Sequence, residues 1–150
     1  MKSNPVAAIL VLACVGCSHM SRPTSTASVS VEIPTILKNP AAYQDKVVRI
    51  RGAAVVRFEA SYICPELAQI NSNRTKECLW LAPALAGEGV GPKELARCHK
   101  KWVVLTGTFD KQNSGHMDAY GGGITAIKVE VVGSHDKGDV PPPPPEPSAN

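Results

Sequence analysis

The chain has 150 residues and a formal net charge of +3 at pH 7, from 16 Lys and Arg side chains against 13 Asp and Glu. So small an excess, without a concentrated basic patch, argues against nucleic acid as a partner. Charged residues make up 19% and aromatic residues 5%, while Val, Ile and Leu supply most of the apolar content, which favours β-structure over a helical bundle. The two ends are not globular in composition, so we expect one domain, at residues 31–133.

Residues 1–16 have the layout of an export signal, with a basic start, an uncharged run and small residues before a cysteine. The run is too short to cross a bilayer as an ordinary helix. Its end, VLACVGCSHM, resembles a bacterial lipobox, whose cysteine receives fatty acyl chains such as palmitate and becomes the first mature residue. Cys17 gives a signal of usual length, whereas Cys14 follows a more typical Val-Leu-Ala but leaves a short signal. We favour Cys17, and a secretory signal cut near Gly16 without lipidation is the alternative.

The lipobox resemblance implies a protein tethered to a membrane, because several acyl chains anchor far better than one. Ser18, where some lipoproteins have Asp, resembles the sorting pattern of Gram-negative lipoproteins destined for the outer membrane. The resemblance thus implies a position in the periplasm, at the outer membrane. Residues 17–30 are polar and low in complexity, so they are expected to form a flexible linker between lipid and domain.

The domain begins with an apolar cluster and a turn at Pro40, after which residues 46–58 read as a long strand. Its sequence KVVRIRGAAV alternates side chains as a strand does and contains Gly52, which indicates a bulge or bend. The pattern returns in KWVVLTGT, with Gly107 at the bend, so two strands share this feature. The second and third strands are predicted at residues 61–64 and 77–82. The KWVVLTGT segment gives the fourth strand, at residues 102–109, and the fifth is predicted at residues 124–132.

A helix is predicted to begin at Pro92, since proline suits the first turn of a helix. Leu95 and Cys98 then share one buried stripe, and Arg97, His99 and Lys100 fall in the last turn, where positive charge suits the helix dipole. Beyond Gly133 the strand pattern stops. We expect residues 134–150 to be a disordered proline-rich tail, whose PPPPPEP segment at 141–147 forms a stiff polyproline II stretch.

Five strands, one helix between the third and fourth, and bends in the first and fourth resemble the OB-fold, a small Greek-key barrel. The segments NPAAYQDKVVRIRG, KKWVVLTGTFD and GHMDAYGGGI resemble a group of small exported bacterial OB-like proteins with NPxxYxGKxVxVxG and GTFDxxxxGHxGxxxGxI segments. The resemblance covers about residues 31–132 and departs at Asp45, where the group usually has Gly. It implies a barrel and export, and it implies no particular activity.

Three cysteines remain in the domain if Cys17 carries lipid, and an oxidising compartment favours a disulfide between two of them. Cys64 ends the second strand and Cys78 opens the third, so the two can face each other across a hairpin. The competing pair is Cys78 with Cys98. Among the cysteines and histidines of the domain no CxxC or HxxxH spacing suggests zinc, and we predict no metal or other cofactor.

Two clusters are candidates for a functional site. Tyr62 and Trp80 lie on the strands that carry the ligand face in OB-folds, where rings stack on sugars or bases. Because the chain has few aromatic residues, we favour core packing for these two rings over a ligand face. His116 and Asp118 in a glycine-rich loop could bind a metal or polarise a substrate, but we favour turn chemistry alone as the explanation for such residues.

No nucleophile elbow, phosphate loop or paired-carboxylate spacing occurs in the sequence. We therefore expect a lipid-anchored binding or scaffold module of the cell envelope without catalytic activity, recognising a protein or a glycan and not nucleic acid. The alternative is an envelope enzyme, or a subunit of one, that uses the His116 and Asp118 loop.

Overall fold

The computed structural model describes residues 27–137. The export signal with Cys14 and Cys17, most of the predicted linker, and residues 138–150 of the predicted tail lie outside the described residues. Residues 134–137, the start of the predicted tail, form the end of a strand and one turn of 3-10 helix. Predictions about the segments outside the described residues stay predictions.

Six strands and three short helices occur within residues 27–137, together with single turns of 3-10 helix. The strands are β1 Val29–Ser30, β2 Val47–Val55, β3 Tyr62–Cys64, β4 Leu79–Ala82, β5 Lys101–Asp110 and β6 Gly123–Ser134. The helices are α1 Ile33–Lys38, α2 Leu67–Asn71 and α3 Pro92–Ala96.

Five of the strands close into a barrel in the order β2–β3–β4–β6–β5, and β5 pairs back to β2. The β4–β6 pair is parallel and the other pairs in the ring are antiparallel. β1 lies outside the ring, parallel to β2, and uses the last two residues of the segment that we predict as linker. The prediction of a mainly-β chain folded as a five-stranded barrel is confirmed.

The barrel interior is aliphatic, because alternate residues of each strand point inward. In β2 the alternation is clean at Val48 and Ile50, both fully buried, between half-buried Val47, Arg49 and Arg51. The same core receives Ile33 and Ile36 from α1 and Leu95 from α3, so both helices pack against the barrel. Its largest fully buried members on the strands are Ile63, Leu79, Leu81, Leu105, Phe109 and Ile124.

The two glycines singled out in the sequence lie where strands approach each other too closely for a side chain. A Cβ atom on Gly52 would be 2.4 Å from the carbonyl oxygen of Cys64, and one on Gly107 would be 2.4 Å from that of Thr125. Gly107 also adjoins a shift in the β5–β6 register, as expected for a bulged strand that bends around a barrel. Gly52 lies in β2 and Gly107 lies in β5. These two strands pair directly, so the predicted bends belong to one sheet.

The helices differ more from the sequence-based prediction than the strands do. Neither α1 nor α2 was predicted, and α3 ends at Ala96 instead of continuing to Lys100. The chain must reverse into β5 at this point, and Lys100 does so with φ of 57° while its N–H donates to the carbonyl of Ala54 at 3.0 Å. Leu95 and Cys98 are nevertheless both buried, as the predicted stripe requires.

Asp45 has a backbone conformation that is more usual for glycine. Its φ is 60°, a left-handed conformation that glycine adopts without cost and that Asp tolerates better than most residues. Its N–H donates to the carbonyl of Phe109 at 2.9 Å, which ties the turn to β5. Asp45 therefore forms the turn before β2 and joins it to the barrel.

Candidate ligand-binding surface

Three aromatic rings lie together on the outside of the barrel, and we call them the aromatic patch. Tyr62 on β3 and Trp80 on β4 are direct cross-strand partners, so their side chains share one face. The Tyr120 ring lies 5.2 Å from that of Tyr62 and 5.4 Å from that of Trp80. The patch points away from the core, because Ile63 and Leu79, which are adjacent to these residues in sequence, are fully buried inside the barrel.

The rings of the aromatic patch are neither packed in the barrel core nor fully exposed. Tyr62 and Trp80 are half-buried, while Tyr120 is 5% exposed and holds the other two in place. These rings form a second apolar cluster, separate from the barrel interior. Burial raises the pKa of the Tyr120 hydroxyl, and the nearby Tyr62 adds to the rise.

A disulfide between Cys64 and Cys78 lies beside the patch and belongs to the same cluster. It links the end of β3 to the residue before β4, so it fixes the hairpin that carries Tyr62 and Trp80. The predicted pairing is confirmed, and the competing pair of Cys78 with Cys98 is wrong. Cys98 is a buried free thiol, and burial, helped by the carboxylate of Glu94, raises its pKa.

The glycine-rich loop between β5 and β6 forms one wall of the patch. A Cβ atom on Gly115 would lie 2.7 Å from the indole ring of Trp80 and 2.8 Å from the ring of Tyr120. Gly115 also has φ of 70°, so both space and backbone conformation require glycine here. The loop therefore packs against the Trp80 ring, and Trp80 also contributes to the lining of a groove.

That groove, which we call the Trp80 groove, encloses about 460 Å³ between the end of β2, β4 and α3. Phe58 lines it and is 92% exposed, which is unusual for a phenylalanine in a chain with so few aromatic residues. Arg57 and Glu59 bring one charge of each sign. The remaining lining is mostly apolar, from Val56, Leu81, Pro83, Pro92, Leu95 and Ala96. Such a surface suits a ligand with an apolar or ring-shaped face.

His116 and Asp118 are both exposed on the β5–β6 loop. The Asp118 carboxylate accepts a hydrogen bond from the Ser114 hydroxyl and lies 3.6 Å from the Nζ atom of Lys76. These two contacts, the hydrogen bond first, lower the pKa of Asp118. The contacts tie Asp118 to the loop and to the turn before β4. A joint site of His116 and Asp118 stays a prediction.

His135 lies directly after the end of β6. Its ring packs edge-on against Trp102 with centroids 5.4 Å apart, and its Nε2 atom is buried without a hydrogen-bond partner among residues 27–137. Burial is the main reason that its pKa is lowered. It lines a second cavity, of about 300 Å³, together with Arg57, Lys100 and Asp136.

Neither a candidate metal site nor a candidate membrane-spanning helix occurs within the described residues. No group of three or more His, Cys, Asp or Glu side chains within residues 27–137 is arranged to hold a metal ion. No helix there is long and apolar enough to span a membrane.

Comparisons with known proteins give limited information. No family model matches the chain, and no curated protein matches it. A crystal structure from Leishmania major Friedlin, provisionally named an aspartyl-tRNA synthetase, is 15% identical with a TM-score of 0.47, over 77% of this chain and 23% of that one. A DUF3299 family protein from Pseudomonas aeruginosa PAO1 is 14% identical with a TM-score of 0.38, over 61% of this chain and 64% of that one. The chain thus spans less than two thirds of either, and likenesses this low carry no functional argument.

Proposed function

We propose that this protein is a non-catalytic binding module of the bacterial cell envelope, an OB-fold barrel held at the outer membrane by lipid on Cys17. It recognises a protein or a glycan through the aromatic patch and the Trp80 groove. The export signal and lipobox resemblance support the location, and the strand order of the barrel supports the fold.

The OB-fold assignment is supported by three features that occur together. The ring order β2–β3–β4–β6–β5 contains one parallel pair, β4–β6, in an otherwise antiparallel ring. A short helix, α3, separates β4 from β5 in the chain. Glycines in β2 and β5 lie where the strands come closest. In OB-folds the second and third strands of the barrel and the loops beside them bind ligands, and here those strands are β3 and β4.

One observation carries the binding role: Phe58 is almost fully exposed beside a half-buried Trp80, on the strands and loop where the fold binds its ligands. An exposed phenylalanine next to an apolar groove leaves apolar surface in water, and burying it against a partner is favourable. Trp80 adds a ring on which a sugar or an apolar side chain can stack. The patch behind it is held by a disulfide, so little ordering is needed on binding.

Site-specific photocrosslinking in intact cells tests this role. A photoreactive amino acid at position 58 is expected to capture an envelope protein or glycan, because residue 58 lines the groove. The matched control is position 85, where Leu85 is 73% exposed and does not line the groove. Equal capture from both positions, or none from position 58, would count against the groove as the binding surface.

The lipid anchor makes a separate prediction. A Cys17→Ser variant is expected to lose all palmitate labelling and to be released from the membrane fraction, since the acylated cysteine is the anchor. The matched Cys14→Ser variant is expected to keep both. Mass spectrometry of the mature amino terminus checks the same point. Labelling that survives in Cys17→Ser and disappears in Cys14→Ser would identify Cys14 as the acylated residue. Absence of labelling in the parent and in both variants would contradict the lipid anchor.

A further inference from the structure

The second half of strand β6 has an edge without a strand partner. Before this point the side of β6 that faces away from β5 is occupied, because β4 pairs with residues 123–125 and the N–H of Val90 donates to the carbonyl of Ala126 at 2.9 Å. Along residues 127–132 no strand of the described part of the chain, 27–137, pairs with this side. An edge strand presents backbone N–H and C=O groups that can pair with a further strand. We call residues 127–132 the β6 edge.

The β6 edge carries a concentration of exposed apolar side chains. Ile127, Val131 and Val132 are 41%, 51% and 46% exposed. Large apolar side chains gathered at one place on a surface mark an interaction site, since covering them removes apolar area from water. The β5–β6 register shifts on both sides of residues 128–131, so only this short stretch is regular. Such an edge suits a short, discrete contact with another strand.

Two opposite charges lie within the regular stretch. Lys128 and Glu130 share one face of the strand, because side chains alternate, and the Nζ atom of Lys128 lies 2.7 Å from the carboxylate of Glu130. The hydrogen bond from Lys128, together with its positive charge, lowers the pKa of Glu130, so this carboxylate is ionised at neutral pH. The two charges are placed symmetrically about Val129.

A second copy of the same edge complements these charges. If two copies of β6 pair antiparallel about a two-fold axis at Val129, Lys128 lies opposite Glu130 of the second copy, and Glu130 lies opposite Lys128. The neighbouring registers that keep the same face outward place either two lysines or two glutamates opposite each other. Like charges directly opposite are unfavourable, whereas opposite charges stabilise a strand pair. The charges therefore favour this one register of a self-paired edge.

We propose that the protein forms a two-fold symmetric dimer through the β6 edge, with Lys128 and Glu130 paired across the interface and the three exposed apolar side chains shielded from water. Each copy uses the same edge, so the contact is closed and gives a dimer instead of a fibre. The contact is small, and we expect a weak dimer. The β6 edge shares no residue with the aromatic patch or the lining of the Trp80 groove, so the dimer and the proposed function can fail separately.

Sedimentation equilibrium of the full chain tests the proposal with charge reversals. Lys128→Glu and Glu130→Lys each place like charges across the interface, and each is expected to weaken dimerisation at least tenfold. The double variant with both substitutions restores opposite charges in the same register and is expected to dimerise within threefold of the parent. The matched control is Lys93→Glu on α3, where an exposed lysine lies outside the β6 edge, and we expect less than a twofold change. Equal Tm values for the variants verify that the barrel is intact.

Cysteine crosslinking tests the register. Residues directly opposite in an antiparallel pair have Cβ atoms about 5 Å apart, close to the reach of a disulfide. A Lys128→Cys chain mixed with a Glu130→Cys chain is therefore expected to give mainly the mixed disulfide on mild oxidation.

Four results would overturn the proposal. The first is a parent that stays monomeric at about 1 mM chain. The second is a double variant that dimerises no better than the single reversals, and the third is a dimer that Lys93→Glu weakens as much as Lys128→Glu does. The fourth is a yield of like-with-like disulfides equal to that of the mixed disulfide.

Discussion

A Gly52→Ala variant is expected to lose about 3 kcal/mol of unfolding free energy, the upper part of the range for overpacking. The new Cβ atom would lie 2.4 Å from the carbonyl oxygen of Cys64 and 2.7 Å from the side chain of Ile63. The nearer atom is backbone, in the strand β3 that pairs with β2 at this point, so it cannot rotate away. The sheet must open locally, and the hairpin that carries the aromatic patch moves with it. Urea denaturation followed by fluorescence measures the loss.

Gly91→Ala is the matched control for this substitution. A Cβ atom on Gly91 would meet no atom within 4 Å, and its φ of −79° suits any residue. We expect a loss of about 1 kcal/mol or less, since Gly91 is the N-cap of α3 and alanine caps helices poorly. If the two variants unfold at the same urea concentration, the close strand approach at Gly52 is not what shapes the barrel.

Removing the disulfide with Cys64→Ala and Cys78→Ala together is expected to cost about 3 kcal/mol, the usual value for a loop of this length. The two cysteines are 14 residues apart in sequence, and both are fully buried beside Tyr120. For a domain of this size the loss corresponds to a fall in Tm of about 10 to 20 °C. Calorimetry of the parent with and without dithiothreitol should show a similar fall, and the double variant should no longer respond to the reductant.

Cys98→Ala separates this effect from the simple loss of a buried sulfur atom. Cys98 is 1% exposed and forms no disulfide, so its truncation leaves a small cavity and is expected to cost about 1 kcal/mol. This variant should keep its full sensitivity to dithiothreitol. A double Cys64 and Cys78 variant that melts no lower than Cys98→Ala would show that the bridge contributes little to stability.

The strands and their bends could be predicted because their signals are local. Gly52 and Gly107 each interrupt a run of β-type residues, and a glycine there needs a close backbone contact or a bend, which the strand pairing supplies. The Cys64–Cys78 bridge could be predicted because the two cysteines lie at the ends of β3 and β4, which form a hairpin. The helices α1 and α2 were missed because they are five or six residues long and have little intrinsic stability. They form because the barrel buries Ile33 and Ile36 of α1, and because Glu66 and Gln69 cap α2.

The candidate surface could be predicted only in part. Tyr62 and Trp80 were expected on the second and third strands of the barrel, and they lie side by side there. The third ring, Tyr120, comes from a loop whose path depends on Gly115, and no local pattern shows which strand such a loop will cover. Phe58 carried one available signal, an isolated aromatic residue at the end of the predicted strand and between the charged residues Arg57 and Glu59. Its exposure and its place in the groove depend on contacts between distant segments.

The affinity of the captured partner for two single variants tests the binding role most directly. With the partner that crosslinks through position 58 in hand, Kd is measured for the parent, for Phe58→Ala and for Leu85→Ala. Both side chains are exposed, so neither truncation should disturb the barrel, and equal Tm values would verify this. We predict at least a tenfold weaker Kd for Phe58→Ala and less than a twofold change for Leu85→Ala. Equal Kd values for the two variants would contradict the assignment of the Trp80 groove as the binding surface.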